Sequence, residues 1–314
     1  MPDRLARQLL EGCVSYHDHY GWERGGCGAG AATCRQTYDP EVIVRSAAEA
    51  KARAVVLRNL YFTSTGDAYA LRKLVPGIEV IGGIFLNSEV GGINPIAVET
   101  AMTYGTGARF VCMATDSAAH SARSMGVTEE EIQSDPVRYV TPFARDGSLK
   151  PEMSEVLQLI ASNDIALETG ILSPEDHLRM VAAARDAGVK RILVTHPAPS
   201  FCGMSLDDMH RAVAMGALIE FTWIFYTHAM SYFERRYPDA GPNAHRTESV
   251  GTAFDQIRAL GPENCVLSTD FGTLELPTPI EGLREFVFCL LDLGMTPEEI
   301  APMVRENPAR LMGL

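Results

Sequence analysis

The sequence contains neither a long apolar segment nor a cluster of basic residues. No apolar run reaches the roughly 18 residues that a membrane-spanning helix requires, and residues 1–7 lack the apolar stretch of a secretory signal. The formal net charge of −13 comes with no basic run to meet phosphate groups. We therefore expect no contact with membranes or nucleic acid, and we attribute the acidity to solubility.

The seven cysteines form no C-x-x-C pair, and several lie inside apolar runs, as buried free thiols do. This usage predicts a reduced, cytoplasmic protein. The chain of 314 residues, 46% of them hydrophobic and 21% charged, is long enough to bury a large core. Because no linker or change in composition divides it, we predict one domain over residues 1–314. We expect it to act on a small molecule and to form a homo-oligomer.

Short apolar runs alternate with amphipathic segments from one end of the chain to the other. Eight of these runs are rich in Val, Ile and Leu and too short to be helices, which predicts strands buried on both faces. They are Cys13–Tyr16, Ala54–Leu57, Val80–Leu86, Phe110–Met113, Ile165–Leu167, Ile192–Val194, Ala217–Phe221 and Cys265–Leu267.

Helix-start signals lie between most of these runs, and several pair a capping residue with a proline at the first helical position. The predicted starts are Asp39-Pro40, Asn94-Pro95, Ser173-Pro174, Ser205-Leu206, Thr296-Pro297 and Asn307-Pro308. Eight alternations of strand and helix predict a single (β/α)8 TIM-like barrel of the α/β class.

A doubly wound open sheet is the alternative architecture. The glycine pattern Gly26-x-Gly28-x-x-Ala31 is similar to a dinucleotide fingerprint, but it lies well past the first strand and no helix opens there. A flexible loop over a site is the better interpretation. Two long inserts, residues 20–38 and 114–150, follow the carboxyl ends of strands 1 and 4, so we expect both to fold over the active face of a barrel.

Two histidines, His17 and His19, follow the first predicted strand. A strand repeats every two residues, so both point the same way and can take adjacent positions around one divalent ion. Further metal-binding residue types end or follow later strands, namely Glu168, His196, His228 and Asp270. In a barrel these positions converge on one mouth, which predicts a divalent metal site.

These motifs and four further segments together resemble a known family. The carboxyl-terminal segment is Glu306–Leu314, and the middle segments are Gly82–Asn87, Val90–Pro95 and Ala97–Glu99. Over nearly its whole length the chain resembles the metal-dependent amidohydrolase superfamily, and the middle segments are similar to one branch of it. The resemblance implies a TIM-like barrel with one or two metal ions that hydrolyses C–N, C–O or P–O bonds. Some members decarboxylate or deaminate instead.

By this resemblance the metal ligands are His17, His19, His196 and Asp270, and Asp270 is also the proton acceptor. Three imidazoles favour Zn²⁺, as one ion or two. The chemistry is consistent with Asp270 as the proton acceptor. A divalent ion brings the pKa of a bound water to about 7, and a carboxylate beside it takes the proton as the water attacks.

The chain departs from the family pattern on three strands. Strand 4 has no lysine of the kind that many members use, in carbamylated form, to bridge two metals. After strand 5, where relatives have His, this chain has Ile171, so Glu168 is predicted either to replace that ligand or to pair with a cation deep in the barrel. On strand 2, Arg58 stands where relatives tend to have Lys. It either holds a substrate carboxylate or pairs with Glu168 or Glu220.

Two further residues are predicted to contact substrate, Asn87 at the end of strand 3 and His228 after strand 7. His177, within a helix, is expected at the surface. The favoured function is a metal-dependent hydrolase that uses an activated water on a small amide, cyclic amide or lactone. A metal-dependent decarboxylase or lyase, with Arg58 anchoring a small carboxylic acid, and a catalytically degenerate metal-binding barrel are the alternatives.

Overall fold

A computed structural model describes residues 2–21, 23–24, 34–35, 37–198, 202–227 and 247–314. Eight parallel strands follow one another in chain order around a barrel. They are β1 (Val14–His19), β2 (Ala54–Arg58), β3 (Glu79–Phe85), β4 (Ala108–Cys112), β5 (Ala166–Glu168), β6 (Arg191–Val194), β7 (Leu218–Thr222) and β8 (Cys265–Ser268). Each of the eight predicted apolar runs overlaps one of them. Two-residue strands, Glu23–Arg24 and Cys34–Arg35, pair antiparallel outside the barrel.

The barrel closes where β8 returns to β1. The residues beyond β8 form a parallel bridge from Asp18 to Phe271, and the His19 N–H donates a hydrogen bond of 2.9 Å to the Phe271 carbonyl. The predicted (β/α)8 barrel is thereby confirmed, and an open sheet is excluded. Among the described residues, no helix is long and apolar enough to cross a membrane.

Helices surround the strands, and those that begin at Pro40, Pro95, Pro174, Leu206 and Pro297 do so at predicted start signals. Asn94 and Ser173 accept hydrogen bonds from the N–H groups of Ala97 and Asp176, so each satisfies a donor at the start of its helix. In the described part of the chain, the α-helices are Pro2–Leu10, Pro40–Glu49, Thr65–Leu74, Pro95–Thr103, Ala119–Ser124, Glu129–Ser134, Pro151–Ser162, Pro174–Asp186, Leu206–Ala214, Val250–Leu260, Pro279–Asp292, Pro297–Ala301 and Asn307–Met312. A π-helical turn, Pro302–Glu306, precedes the last helix.

Apolar side chains fill two layers, one between the strands and the helices and one inside the barrel. The inner layer includes Tyr16, Phe85 and Phe110, together with Leu311 and Met312 of the last helix. That helix covers the amino-terminal end of the barrel. The last helix does not cover the carboxyl-terminal end of the barrel, where the candidate site lies.

An irregularity in β1 orients the residues that face the site. The pairing of β1 with β2 shifts between Ser15 and Asp18, as in a β-bulge. His17 adopts a φ of 71° there, and Tyr16, His17 and His19 all direct their side chains into the barrel, where each contacts a residue from another strand end. Strict alternation would have turned one of the two neighbours Tyr16 and His17 outward.

Both long inserts follow the carboxyl ends of strands, as predicted. The insert after β4 is folded by bridges that join Ala118 to Val140 and Phe143 to Leu149. Most of residues 20–38, including the glycine pattern at 26–31, lies outside the described residues. The end of this insert is tied to the segment after β8 by a bridge from Thr37 to Thr273.

Candidate metal centre

Three candidate ligands meet at the carboxyl-terminal mouth of the barrel. His19 Nε2 lies 2.7 Å from Asp270 Oδ1, and His17 Nε2 lies 3.3 Å from the same oxygen. One nitrogen or oxygen from each of His17, His19 and Asp270 lies within 4.8 Å of the others, so the three can share one cation. The structure thus brings together the two histidines of β1 and the carboxylate that follows β8.

His196 approaches the same cluster from the end of β6. The centroids of the His17 and His196 rings are 5.0 Å apart, and those of His17 and His19 are 5.1 Å apart. A second set of potential ligand atoms within 4.8 Å consists of His17, His196 and Glu220. Four predicted ligands are therefore neighbours, and one residue that was not predicted as a site residue joins them.

Glu220 on β7 is that residue, and its side chain is completely buried. Its Oε1 lies 2.7 Å from His17 Nδ1. A proton on Nδ1 donates to this carboxylate, which leaves the lone pair of His17 Nε2 directed at Asp270 and His19. The sequence carried one signal for it, because Glu220 is the only charged residue in the apolar run Ala217–Phe221.

The buried polar atoms of the cluster fit a cation. Among the described residues, neither His17 Nε2 nor Glu220 Oε2 makes a hydrogen bond, although both are out of contact with solvent. Buried polar atoms are nearly always satisfied, so such atoms need an explanation. Imidazole nitrogens and carboxylate oxygens in this arrangement are the donor set that divalent transition metals take.

The backbone at the site is held in an uncommon conformation. His17, His196 and Asp270 have φ angles of 71°, 51° and 58°, in the left-handed region. Only two other non-glycine residues in the described part of the chain have positive φ. Such conformations cost about 1–3 kcal/mol each and cluster at functional sites. Here they turn three strand ends so that their side chains face one another.

The protonation states suit metal binding. Burial lowers the pKa of His17 well below its ordinary value, and the nearby charge of Arg58 lowers it further. For Asp270, burial raises the pKa, but His17, His19 and His196 together outweigh burial and hold the pKa below its ordinary range. Near neutral pH the site therefore presents a neutral His17 and an ionised Asp270, which are the forms that coordinate cations.

The structure places Glu168 apart from the histidines, in an ion pair. Arg58 donates two hydrogen bonds to it, from Nη1 to Oε2 and, at 2.8 Å, from Nη2 to Oε1. Tyr16 O–H also donates to Oε1. Both charged side chains are fully buried. For both residues the geometry favours the ion pair over the alternative role. We therefore no longer propose Glu168 as a metal ligand or Arg58 as a contact for substrate.

Asn87 is committed to holding a loop. Its Oδ1 accepts hydrogen bonds from the N–H groups of Thr115 and Ser117, at 2.9 and 3.2 Å, and its Nδ2 donates to the Leu60 carbonyl at 3.0 Å. With its side chain buried and these bonds made, it is not available to substrate as the sequence had suggested. His228 lies outside the described residues.

His177 is buried rather than at the surface. Its Nδ1 lies 2.8 Å from Thr169 Oγ1, which also accepts a hydrogen bond of 3.1 Å from the Thr195 N–H. This network ties the helix Pro174–Asp186 to the ends of β5 and β6. It therefore supports the segment that carries His196.

A family model, that of a family of unknown function (DUF6282), matches residues 28–220. The chain belongs to this family. The matched region runs from the first insert to β7 and includes Arg58, Glu168, His196 and Glu220. No curated protein matches the chain.

Several solved structures have the same fold as this chain. The probable dipeptidase PvdM from Pseudomonas aeruginosa is 11% identical with a TM-score of 0.63, over 99% of this chain and 98% of that one. An organophosphate hydrolase engineered from a promiscuous lactonase template is 16% identical with a TM-score of 0.59, over 98% and 97%. An amidohydrolase from Burkholderia multivorans is 12% identical with a TM-score of 0.53, over 96% and 99%. The barrel that the resemblance implied is confirmed by these similarities.

Proposed function

We propose that this protein is a metal-dependent hydrolase that directs water at a small amide, cyclic amide or lactone. The observation that carries the proposal is the meeting of His17, His19 and Asp270 at the barrel mouth, with potential ligand atoms within 4.8 Å of one another. A probable dipeptidase and a hydrolase derived from a lactonase share the fold, which supports an amide or a lactone as substrate.

We propose Zn²⁺ as the cation, held by His17, His19, His196 and Asp270. Three imidazoles and one carboxylate are a donor set that zinc commonly takes. Glu220 then lies behind His17 and fixes its tautomer through the contact at Nδ1.

Asp270 is the proposed base because it combines contact with the histidines and access to the mouth. Its side chain is 22% exposed, whereas those of His17 and His19 are 1% and 8% exposed. A divalent cation held at this site supplies Lewis acidity, which polarises a carbonyl and makes water more acidic. Asp270 Oδ2 takes a proton from the attacking water as its oxygen bonds to the carbonyl carbon. It returns that proton to the leaving nitrogen or oxygen as the C–N or C–O bond breaks.

The lyase alternative depended on Arg58 as an anchor for a substrate carboxylate. Because both Arg58 Nη atoms are engaged by Glu168 and the side chain is fully buried, that anchor is lost. The hydrolase is therefore the function that we propose. A reducing compartment also fits, since the five cysteines whose side chains the structure describes are all free.

Metal content tests the ligand assignment. We expect the purified protein to carry zinc, and His17→Ala and His19→Ala to lose most of it while the barrel stays folded. The measurement is elemental analysis alongside far-ultraviolet circular dichroism. His210→Ala, at an exposed position, is the matched control and should keep its zinc. Unchanged zinc content in both ligand variants would show that the assignment is wrong.

Turnover tests the role of Asp270. Asp270→Asn keeps the shape and one potential ligand oxygen but removes the basicity. On whichever lactone, amide or cyclic amide of a substrate panel the protein hydrolyses, we expect kcat to fall by about two to four orders of magnitude, the range for loss of a general base. Zinc content should fall less. Near-normal turnover in the variant would contradict the assigned role.

A further inference from the structure

Gly272, two residues after Asp270, lies against the backbone of His19 at the mouth of the barrel. A Cβ atom at this position would lie 2.1 Å from the His19 carbonyl oxygen and 2.7 Å from the His19 Cβ. The φ of Gly272 is not positive, so the position requires space for a close backbone approach rather than a left-handed conformation. Because the nearest atom belongs to the backbone, no side-chain rotation relieves the overlap. A side chain here would therefore separate β1 from the segment that carries Asp270.

Hydrogen bonds hold this segment on both of its edges. On one edge, the His19 N–H donates to the Phe271 carbonyl at 2.9 Å. On the other edge, the Tyr38 N–H donates to the Gly272 carbonyl at 2.8 Å, and the Tyr38 hydroxyl donates to the Leu276 carbonyl at 2.8 Å. The segment after β8 thus continues the sheet, between the end of β1 and the end of the first insert.

A second glycine allows close packing of the same segment against a helix. A Cβ atom at Gly282, in the helix Pro279–Asp292, would lie 2.5 Å from the ring of Phe271. That ring is buried, and Phe271 is the residue between Asp270 and Gly272. The segment is therefore confined between β1 and this helix, and its position relative to β1 depends on both glycines.

The distance between two ligands of one ion has a narrow range. Zinc lies about 2.0–2.2 Å from nitrogen and oxygen ligands, so two of them on one ion are at most about 4 Å apart. His19 Nε2 and Asp270 Oδ1 lie 2.7 Å apart. With a Cβ at Gly272, the contact with the His19 carbonyl must lengthen from 2.1 Å to at least 3.0 Å. A displacement of this size uses up most of the range in which the two ligands can share an ion.

We propose that Gly272 is a positioning residue of the metal centre. Because it has no side chain, the segment after β8 lies directly against His19, and Asp270 and His19 come close enough to hold one cation. This inference rests on the metal site of the proposed function and extends it to a residue that contacts neither the cation nor the substrate. Gly282 supports the same arrangement from the side of the helix.

Zinc affinity of the folded protein is the first test. The full-length protein is stripped of metal, and its affinity for Zn²⁺ is measured by competition with a chromogenic chelator. For Gly272→Ala we expect the affinity to fall by about 10- to 100-fold, the range for residues that orient metal ligands. Circular dichroism shows whether the barrel is folded, and urea unfolding gives its stability.

Gly105→Ala is the matched control, because it makes the same change with a similar overlap away from the ligands. A Cβ at Gly105 would lie 2.2 Å from the Thr65 carbonyl oxygen. Gly105 precedes β4 at the amino-terminal end of that strand, and its φ of 63° adds strain. The control should therefore lose stability in urea but keep the zinc affinity of the unaltered protein. A purely structural role of Gly272 would give the same result as the control.

Gly282→Ala is the second variant. Alanine is favoured over glycine within a helix, so this variant is expected to fold even if Gly272→Ala does not. Its Cβ displaces the Phe271 ring and with it the segment that carries Asp270. We expect the zinc affinity to fall by about tenfold, the lower end of the same range.

The outcomes separate this inference from the proposed function. Unchanged zinc affinity in folded Gly272→Ala, or an equal loss of affinity in Gly105→Ala, would overturn the inference and leave the hydrolase proposal standing. If Gly272→Ala does not fold, unchanged affinity in Gly282→Ala has the same consequence. Absence of zinc binding by the unaltered protein would refute the metal centre, and this inference with it.

Discussion

At the scale of single residues, Glu220 shows how a side chain beyond the ligands controls the centre. Its Oε1 lies 2.7 Å from His17 Nδ1, and both side chains are buried. A carboxylate in this position fixes the ring and raises the basicity of the opposite nitrogen. Glu220→Gln keeps the shape but removes the charge. We therefore expect its zinc affinity, measured by competition with a chromogenic chelator, to fall by about 10- to 100-fold.

The matched control for Glu220→Gln is Glu298→Gln, which makes the same chemical change at an exposed position. Its zinc affinity should equal that of the unaltered protein. Equal affinity in both variants would show that Glu220 does not act on the metal centre, whatever its effect on folding.

The residues of the site were predictable from the sequence to different degrees. His17, His19 and Asp270 end strands of the barrel, and the ends of parallel strands meet at one mouth, so strand order alone brings them near one another. Glu220 and the partner of Arg58 depend on which side chains meet across the barrel interior. The spacing of residues along one strand does not show which side chains of other strands they will contact. From the sequence, Arg58 could therefore be assigned either to a substrate carboxylate or to an ion pair.

At the scale of elements, local rules accounted for most of the strands and for the helices with strong start signals. Strands covered on both faces are necessarily apolar, so all eight barrel strands could be predicted from apolar runs in the sequence. The bulge in β1 was not predictable, because it depends on the pairing of Ser15 and Asp18 with β2. His177 was misassigned to the surface for a similar reason, since its partner Thr169 lies at the end of another element.

The contact between the helix Pro174–Asp186 and the end of β5 predicts how stability depends on pH. Burial lowers the pKa of His177 to about 3, whereas the pKa of a histidine in the unfolded chain is about 6.5. Between these values the unfolded chain binds a proton that the folded protein does not. The free energy of unfolding therefore falls as the pH falls through this window, by at most about 1.4 kcal/mol per pH unit from this residue.

A comparison of variants isolates that contribution. His177→Asn retains a polar group near Thr169 but does not titrate. Between pH 7 and pH 5, we expect its free energy of unfolding to fall by about 2 kcal/mol less than that of the unaltered protein. Urea unfolding at the two pH values measures the difference. For His210→Asn, at an exposed helical position, the free energy of unfolding should fall by as much as it does for the unaltered protein. Equal losses in all three proteins would exclude His177 as the source.

At the scale of the whole molecule, the barrel separates stability from chemistry by its two ends. The candidate ligands lie at the carboxyl ends of the strands. At the opposite end, Asn307 donates hydrogen bonds of 2.9 and 2.7 Å to the carbonyls of Pro262 and Cys265, and the last helix inserts Leu311 and Met312 into the inner core. In barrels of this type, residues at the amino-terminal end serve stability and loops at the carboxyl-terminal end serve chemistry.

This separation gives a test in which stability and metal binding are measured on one variant. Met312 is fully buried in the inner core, so Met312→Ala leaves a cavity and should lower the free energy of unfolding by about 2–5 kcal/mol. The zinc affinity of the folded variant should stay unchanged, because the side chain lies at the opposite end of the barrel from His17 and Asp270. Urea unfolding and zinc titration provide the two measurements. A loss of zinc affinity in proportion to the loss of stability would show that the inner core transmits strain along the barrel, and that the two ends are not independent.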